Sequence, residues 1–424
     1  MEIAQDRSGD AMYRTGFLCI DLPFPVKKNI EDYTLQELGT FVHEYVHFLQ
    51  NITTPWGLYE SARLYERISH LYANLPKVES GIIYAPVEED YILSHQTIIR
   101  RIHLGRGSDI DGSGNSVYNI KISDQPNFIV NNEVEFVEGV EIPKVTVYFD
   151  TINGQRQSIL FGAWTIKESM AAMIQEKVDP MSPDRHAEVP YNFVRRLAQA
   201  VYPNIAEDSD KLISICYASL FSLSPAICFL DLAEKANSTP SLHIDKILHD
   251  FFSQGVMKNG QTKTMSICDF YEDLSNRFLN TVDLLLAPVK TEYLKVIIKV
   301  TQFKDCKFPL LWFIEDKINA EDVRKFLDSA GYPAIIGTKD SGMFPYLDED
   351  KETQLLNILL LGHETLFKYL TSNPPTCPRA GQCKETGNYN ESSCTTTPWR
   401  RDDDCVMTES AKLLEIQDLN IIKS

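Results

Sequence analysis

Residues 34–51 read TLQELGTFVHEYVHFLQN, and this stretch decides how the chain is organised. Thr34 followed three residues later by Glu37 is a capping-box pattern, which predicts that a helix begins at Thr34. Pro55 and Gly57 predict that the helix ends before them. At helical spacing the apolar side chains fall on one side, and the other side is polar without any Lys or Arg. Since a solvated face normally carries such cations, the polar face is predicted to line a cleft.

The polar face carries the sequence His43-Glu44-Tyr45-Val46-His47. Two imidazoles four residues apart lie one helical turn from each other on the same face, so they can bind one metal ion. The carboxylate of Glu44 can activate a water molecule at such an ion. With 9 His and 59 acidic residues in the chain, this pattern arises by chance only about 0.03 times. We therefore predict a zinc site at His43 and His47; the alternative is a pair of histidines satisfied by hydrogen bonds inside a buried helix.

A third metal ligand is predicted on a later helix, residues 164–178. Glu168 lies there on a face of small residues that includes Ala171 and Ala172. Such a face can approach another helix closely, which makes Glu168 the candidate ligand. Glu176 and His186 are the alternative ligands, and the ordinary alternative for Glu168 is a solvated carboxylate.

These motifs resemble those of the zincin metallopeptidases, whose metal helix has a Thr or Val three residues before the first His, as Thr40 is here. In the gluzincin branch the third ligand is a Glu on a later helix with Ala three positions on, and Lys167-Glu168-Ser169-Met170-Ala171 looks like that motif. The resemblance implies a zinc ion with three protein ligands and a fourth position for water. It also implies an oxyanion-stabilising group after the third ligand, for which Tyr191 and His186 are the candidates.

The expected function is that of a zinc-dependent peptidase in which Glu44 acts as the general base. An endopeptidase is favoured because no Gly-x-Met-x-Asn element of the kind found in gluzincin aminopeptidases precedes the metal helix; the sequence GVMKN at 255–259 lies well after it. The expected partner is a protein or peptide substrate, and a regulatory protein partner is compatible with this hypothesis. The alternative is a catalytically silent, zinc-binding regulatory or interaction module, against which the intact Glu44 argues.

Composition limits the other classes of function. The chain of 424 residues carries 41 basic and 59 acidic residues, for a net charge of −18. So acidic a protein is a poor candidate for binding nucleic acid or an anionic membrane. The polar N-terminus lacks a signal-peptide core, so a cytoplasmic location is expected. Residues 212–230 lack charges, but they are predicted to form two buried helices broken near Ser224-Pro225 rather than a membrane span.

The predicted fold class is α+β and predominantly α, with a zincin-like core, a small antiparallel sheet and a C-terminal helical lobe. Residues 1–190 are expected to form the core, with an insertion at about 57–160. Too few residues precede the metal helix for a self-standing sheet, so the sheet is expected from residues 117–162. Residues 191–374 are expected to form the helical lobe. The predicted strands are one within 13–26 and four more at 117–122, 134–142, 144–150 and 157–162.

Residues 375–424 form a Cys-rich C-terminal segment. It contains Cys377, Cys383, Cys394 and Cys405 in a stretch rich in Gly, Asn, Ser and Thr, which is expected to pack poorly by apolar burial. In a cytosolic protein clustered thiols favour a structural metal, so these four are the candidate ligands of a second zinc ion. No spacing is Cys-x-x-Cys, however, and unligated thiols or disulfides are the alternative. The other five cysteines are predicted to be reduced core residues.

Overall fold

Helix α1, Leu35–Thr53, is the central element of the structure, which is a computed structural model. Thr34 caps it as predicted: the Thr34 hydroxyl accepts from the Glu37 N–H, and the Glu37 carboxylate accepts from the Thr34 N–H. All residues from Phe41 to Thr53 are buried, so the polar face is covered as fully as the apolar one. Buried polar groups need hydrogen-bond partners, and neighbouring elements must therefore supply them.

The description of the structure covers most of the chain, with gaps. The described residues are 11–15, 19–74, 82–87, 98–99, 102–105, 120–124, 126–137, 139–241, 243–253, 255–257, 264–282, 317–337, 342–343, 362–371, 377–385, 387, 389–401, 405–413 and 416–423.

Two long helices contact α1. These are α2, Pro55–Asn74, and α3, Ala163–Val178. A π-helical turn, Glu188–Asn192, follows α3 and packs back onto it. The later helices that begin and end within the described residues are α4 (Phe193–Val201), α5 (Ser209–Ser219), α6 (Pro225–Ser238), α7 (Ile244–Ser253), α8 (Ile267–Val282) and α9 (Ala320–Ala330). Residues 362–371 belong to a further helix, α10.

The predicted break near Ser224-Pro225 is confirmed, because α5 ends at Ser219 and α6 begins at Pro225 with Ser224 as its N-cap residue. Within the described ranges, no helix has both the length and the apolar character that crossing a membrane requires. The sequence also predicts helices at 90–104, 290–303 and 350–371, and these lie wholly or largely outside the described residues. The remaining helices and the small sheets confirm an α+β fold that is predominantly α.

The N-terminal residues form part of a four-stranded sheet. Strands β1, Met12–Arg14, and β2, Cys19–Asp21, are antiparallel, and Tyr13 lies opposite Ile20. The prediction of one strand within 13–26 was therefore wrong, since strands of three residues are too short to give a recognisable alternation. Strand β2 also pairs in parallel with a later strand, Ala334–Ile336.

The predicted small antiparallel sheet is present, with three strands among the described residues. Its strands are β4 (Ile129–Val137), β5 (Val140–Asp150) and β6 (Arg156–Phe161), in that order. The prediction of one strand at 134–142 was wrong, because the chain reverses at Gly139, whose φ of 80° suits glycine. The alternation of side chains continues through this turn and conceals it. Ile122 forms only an isolated bridge to Thr151.

The remaining strands are short. They are β3 (Ile82–Ala85), β7 (Gly255–Met257), β8 (Thr264–Ser266), β9 (Ala334–Ile336), β10 (Gly342–Met343) and β11 (Asn420–Lys423). Strand β11 pairs in parallel with β3, so residues 420–423 lie beside residues 82–85.

The C-terminal segment joins the main hydrophobic core. Its helices are α11, Ala380–Glu385, α12, Glu391–Thr396, and α13, Val406–Leu413. Trp399 and Met407 are buried in the same apolar cluster as α1. The expectation that this segment packs poorly by apolar burial was therefore wrong. A few large side chains order it, although most of its residues are small and polar.

The corner between α1 and α2 yields a stability prediction. A Cβ atom on Gly57 would lie 2.3 Å from the backbone oxygen of Asn51, so Gly57→Ala should lower the free energy of unfolding by about 3 kcal/mol or more. Gly381→Ala is the matched control, because a Cβ there meets no atom within 4 Å. Chemical denaturation of the two variants measures the difference, and equal stabilities would contradict the assignment of this close helix contact.

Candidate metal centre

Three predicted ligands from α1 and α3 meet at one point. Oε2 of Glu168 lies 3.3 Å from Nε2 of His43 and 3.3 Å from Nε2 of His47. The two Nε2 atoms are 3.2 Å apart. Within the described part of the chain, these three residues are the group of His, Cys, Asp and Glu side chains whose geometry could hold a metal ion. A separation of 121 residues between His47 and Glu168 is thus closed by the packing of α3 on α1.

The spacing of the three atoms can be compared with that of a zinc coordination shell. Zinc binds His nitrogen and carboxylate oxygen at about 2.0–2.1 Å, and two ligand atoms of such a tetrahedron are then about 3.3–3.4 Å apart. The observed separations of 3.2, 3.3 and 3.3 Å are close to this edge length. The donor set of two imidazoles and one carboxylate also suits zinc. The residues therefore fit a metal ion, and a three-residue set leaves a fourth position open.

Charge at the site favours the ionised form of Glu168. Burial by itself would raise the pKa of its carboxyl, but the charge of His47 and hydrogen bonds from both histidines hold that pKa well below its usual range. The side chains of His43 and His47 are 7% and 10% exposed, and that of Glu168 is 20% exposed. A carboxylate in so poorly solvated a place needs positive charge beside it.

Two glutamines orient the histidine rings. Oε1 of Gln175 lies 3.0 Å from Nδ1 of His43, and Oε1 of Gln50 lies 2.9 Å from Nδ1 of His47. An amide oxygen can only accept, so each Nδ1 must donate; a metal ion would then take the place of the Nε2 proton that Glu168 accepts and would receive the Nε2 lone pair. The amide of Gln50 in turn donates to the backbone oxygen of Lys167, next to Glu168. Gln50 therefore fixes a ring of α1 relative to the ligand on α3.

The candidate general base, Glu44, is held by the N-terminal strand. The backbone N–H of Tyr13 donates to Oε2 of Glu44 at 2.6 Å, and the Tyr13 hydroxyl donates to Asn51 on the same helix at 2.7 Å. Burial raises the pKa of Glu44 to about 7; the charge of His43 opposes this rise, Glu168 adds to it, and the Tyr13 N–H opposes it. A carboxyl with a pKa near neutrality can both accept and return a proton.

The other predicted site residues, Glu176, His186 and Tyr191, are not part of this group of ligands. Glu176 pairs with Arg195 at 2.6 Å and is not part of the metal group. Nε2 of His186 lies 2.8 Å from Oε1 of Gln175, so His186 shares the acceptor of His43 instead of joining the group. The ring centroid of Tyr191 lies 5.7 Å from that of His43 and 4.6 Å from that of His186.

The four C-terminal cysteines lie in one neighbourhood without forming a preassembled metal group. Burial, with smaller contributions from nearby Cys405, Cys383 and Cys394, raises the pKa of the Cys377 thiol to about 11, while a backbone hydrogen bond from Arg379 opposes the rise. Nη1 of Arg401 lies 2.9 Å from Sγ of Cys394. All four are thiols, and the described residues bring no three of them together within 4.8 Å. The second zinc ion stays a prediction.

Comparisons of this chain with protein-family models, with curated proteins and with solved structures find no match. The site must therefore be interpreted from its own geometry. The sequence patterns do not by themselves assign a role to Gln50 or Gln175. Their positions, three residues after His47 and seven after Glu168, put both on the same faces as the ligands.

The hydrogen bonds to Nδ1 lead to a prediction about metal affinity. Gln175→Ala and Gln50→Ala should each weaken zinc binding by about 10–100-fold, because the rings lose the acceptor that fixes their orientation. Competition with a chromogenic chelator measures the dissociation constants. Gln199→Ala, on an exposed part of α4, serves as the control and should bind zinc like the unchanged protein. Unaltered affinity in both site variants would rule out the orienting role.

Proposed function

We propose that the protein is a zinc-dependent peptidase, most simply an endopeptidase acting on a protein substrate. The observation that carries this proposal is the triangle of His43, His47 and Glu168 with Glu44 in the same helix turn. The edge lengths suit a zinc ion with an open fourth position, and that openness distinguishes catalytic from structural zinc sites. The resemblance of both motifs to those of gluzincins supports the same assignment.

In the proposed reaction a bound zinc ion would supply Lewis-acid activation of water and of the substrate carbonyl. Glu44 accepts the proton of the attacking water and returns it to the leaving amine. The backbone N–H of Tyr13 keeps the carboxylate of Glu44 in one orientation during these transfers. Gln50 and Gln175 keep the imidazole lone pairs directed at the metal position.

Tyr191 is the proposed oxyanion-stabilising residue, because its ring lies beside that of His43. His186 is the second candidate, and burial, together with the charges of His43 and Arg185, lowers its pKa to about 4. A neutral imidazole can still donate one hydrogen bond. His186 gives that donor to Gln175 in this arrangement, so Tyr191 is the better placed of the two.

A second candidate function is a zinc-binding module without turnover. The low exposure of the site favours it, since the side chains of both histidines are at most 10% exposed. A peptide backbone must come within reach of Glu44, yet one oxygen of Glu44 already accepts from Tyr13. Under the module hypothesis zinc binds and no peptide bond is cleaved.

Substitution of the base tests the peptidase proposal. Glu44→Gln removes the proton acceptor and should lower the rate of peptide-bond cleavage by about 100-fold or more, with the zinc content unchanged. New protein N-termini are compared in cells that produce the unchanged protein or the variant. Glu207→Gln, at an exposed position, is the matched control and should behave like the unchanged protein.

His43→Ala provides the companion measurement, because it should remove the catalytic zinc ion as well as activity. The zinc content of the Cys394→Ser variant tests the second site separately. Bound zinc with identical N-termini in the unchanged protein and in Glu44→Gln would favour the silent module. Unchanged zinc content in His43→Ala would contradict the metal centre itself.

A further inference from the structure

Strand β4 has an open edge in the described part of the sheet. All nine of its residues, Ile129–Val137, pair with β5, and the order β4-β5-β6 places no described strand on its other side. An edge of this length presents unpaired backbone N–H and C=O groups to an incoming strand. Natural proteins usually protect such an edge with lysine, proline or a bulge. Strand β4, IVNNEVEFV, contains neither lysine nor proline, and its pairing with β5 is continuous.

One face of β4 exposes apolar side chains towards the hairpin tip. Val134 and Phe136 share this face because they are two residues apart, and they are 53% and 68% exposed. Farther from the tip, the same face continues into the buried residues Val145 and Val147 of β5. The apolar row thus begins in the core and ends uncovered, which is unlike isolated exposed apolar residues.

The opposite face of β4 carries negative charge. Glu133 and Glu135 lie there, opposite Lys144 and Ile142 of β5. Lys144 pairs with Glu135 at 3.3 Å, while Glu133 accepts from Asn131 and has no ion-pair partner among the described residues. On the face of Phe136, Glu141 at the tip adds another carboxylate, because residues paired across the two strands share a face. Carboxylates therefore outnumber the cation at this end of the hairpin.

From these features we infer that the open edge of β4 binds an extended polypeptide segment in which basic and apolar residues alternate. A strand added beside β4 places alternate side chains on its two faces. On one face they meet Val134 and Phe136, and on the other they meet Glu133 and Glu135. Apolar residues suit the first face, and Lys or Arg suits the second.

A second copy of this chain fits the edge less well. Two β4 strands paired edge to edge would bring the carboxylates of Glu133 and Glu135 from both copies together, and like charges across strands are destabilising. The net charge of −18 adds repulsion between copies and attraction for a basic segment. This binding surface does not depend on the metal centre or on peptidase activity.

The test uses the full chain with Glu44→Gln, so that no probe is cleaved. A short dye-labelled peptide of alternating Lys and Val should bind, as measured by fluorescence anisotropy, and added salt should weaken it. A peptide of alternating Glu and Val should not bind. The Lys-Val peptide with alternate backbone nitrogens methylated should also fail, because it cannot pair with the strand although its charge is unchanged.

Variants of the protein locate the binding surface. Phe136→Ser and the double variant Glu133→Gln/Glu135→Gln should each bind the Lys-Val peptide about fivefold or more weakly. The control Ile152→Ser alters another exposed apolar residue, at 57%, that lies outside β4, and it should bind normally. Circular dichroism checks that each variant is folded, and the methylated peptide gives the same test without any substitution.

Three results would overturn the inference. The first is equal binding of the methylated and unmethylated peptides, since attraction would then be electrostatic without strand pairing. The second is unchanged binding in both folded variants of β4. The third is a dimer of the chain that Phe136→Ser dissociates, because the edge would then be covered by a second copy.

Discussion

The contact of Oε2 of Glu168 with the Nε2 atoms of His43 and His47 is the constraint on which the structure depends. A carboxylate that is largely buried is costly unless cations or hydrogen-bond donors surround it. Both imidazoles come from one face of α1, so α3 must approach that helix closely at this point. Small side chains at Ala171 and Ala172 permit the approach. The candidate metal centre and the packing of α3 on α1 are therefore one feature.

Layers of polar contacts around the ligands make their geometry rigid. Gln50 bonds both to His47 and to the backbone of Lys167, and the Lys167 ammonium pairs with buried Glu60 on α2 at 3.0 Å. Three helices are thus joined through buried polar groups next to the site. Such networks are stabilising when every member is satisfied. They also limit how far a ligand can move.

A second support reaches the site from the end of the chain. Arg14, next to the residue that holds Glu44, forms ion pairs with Asp21 and with Glu364 on α10. Helix α10 meets the C-terminal segment at Gly362, where a Cβ atom would lie within 2.2 Å of the backbone oxygen of Val406. The Cys-rich segment therefore supports the strand that covers Glu44.

Local signals explain which features could be predicted from the sequence. The start of α1 follows from Thr34 and Glu37, and the ligands follow from spacing on helix faces. Glu168 was predictable because small residues surround it on its helix. The N–H of Tyr13 at Glu44 was not, since a backbone donor has no side-chain signature. The same holds for β2 beside β9, where three-residue strands over 300 residues apart pair without any pattern in either segment.

X-ray absorption at the zinc edge would show which atoms bind the zinc ion. It is best measured on zinc-loaded protein in which Cys377 and Cys394 are replaced by Ser, so that any zinc bound by the tail does not contribute. We expect a first shell of nitrogen and oxygen only, at about 2.0–2.1 Å, with the outer-shell signal of two imidazoles. Glu168→Ala should remove one oxygen from that shell. A shell with sulfur at about 2.3 Å, or a shell that is unchanged in Glu168→Ala, would contradict zinc binding by His43, His47 and Glu168.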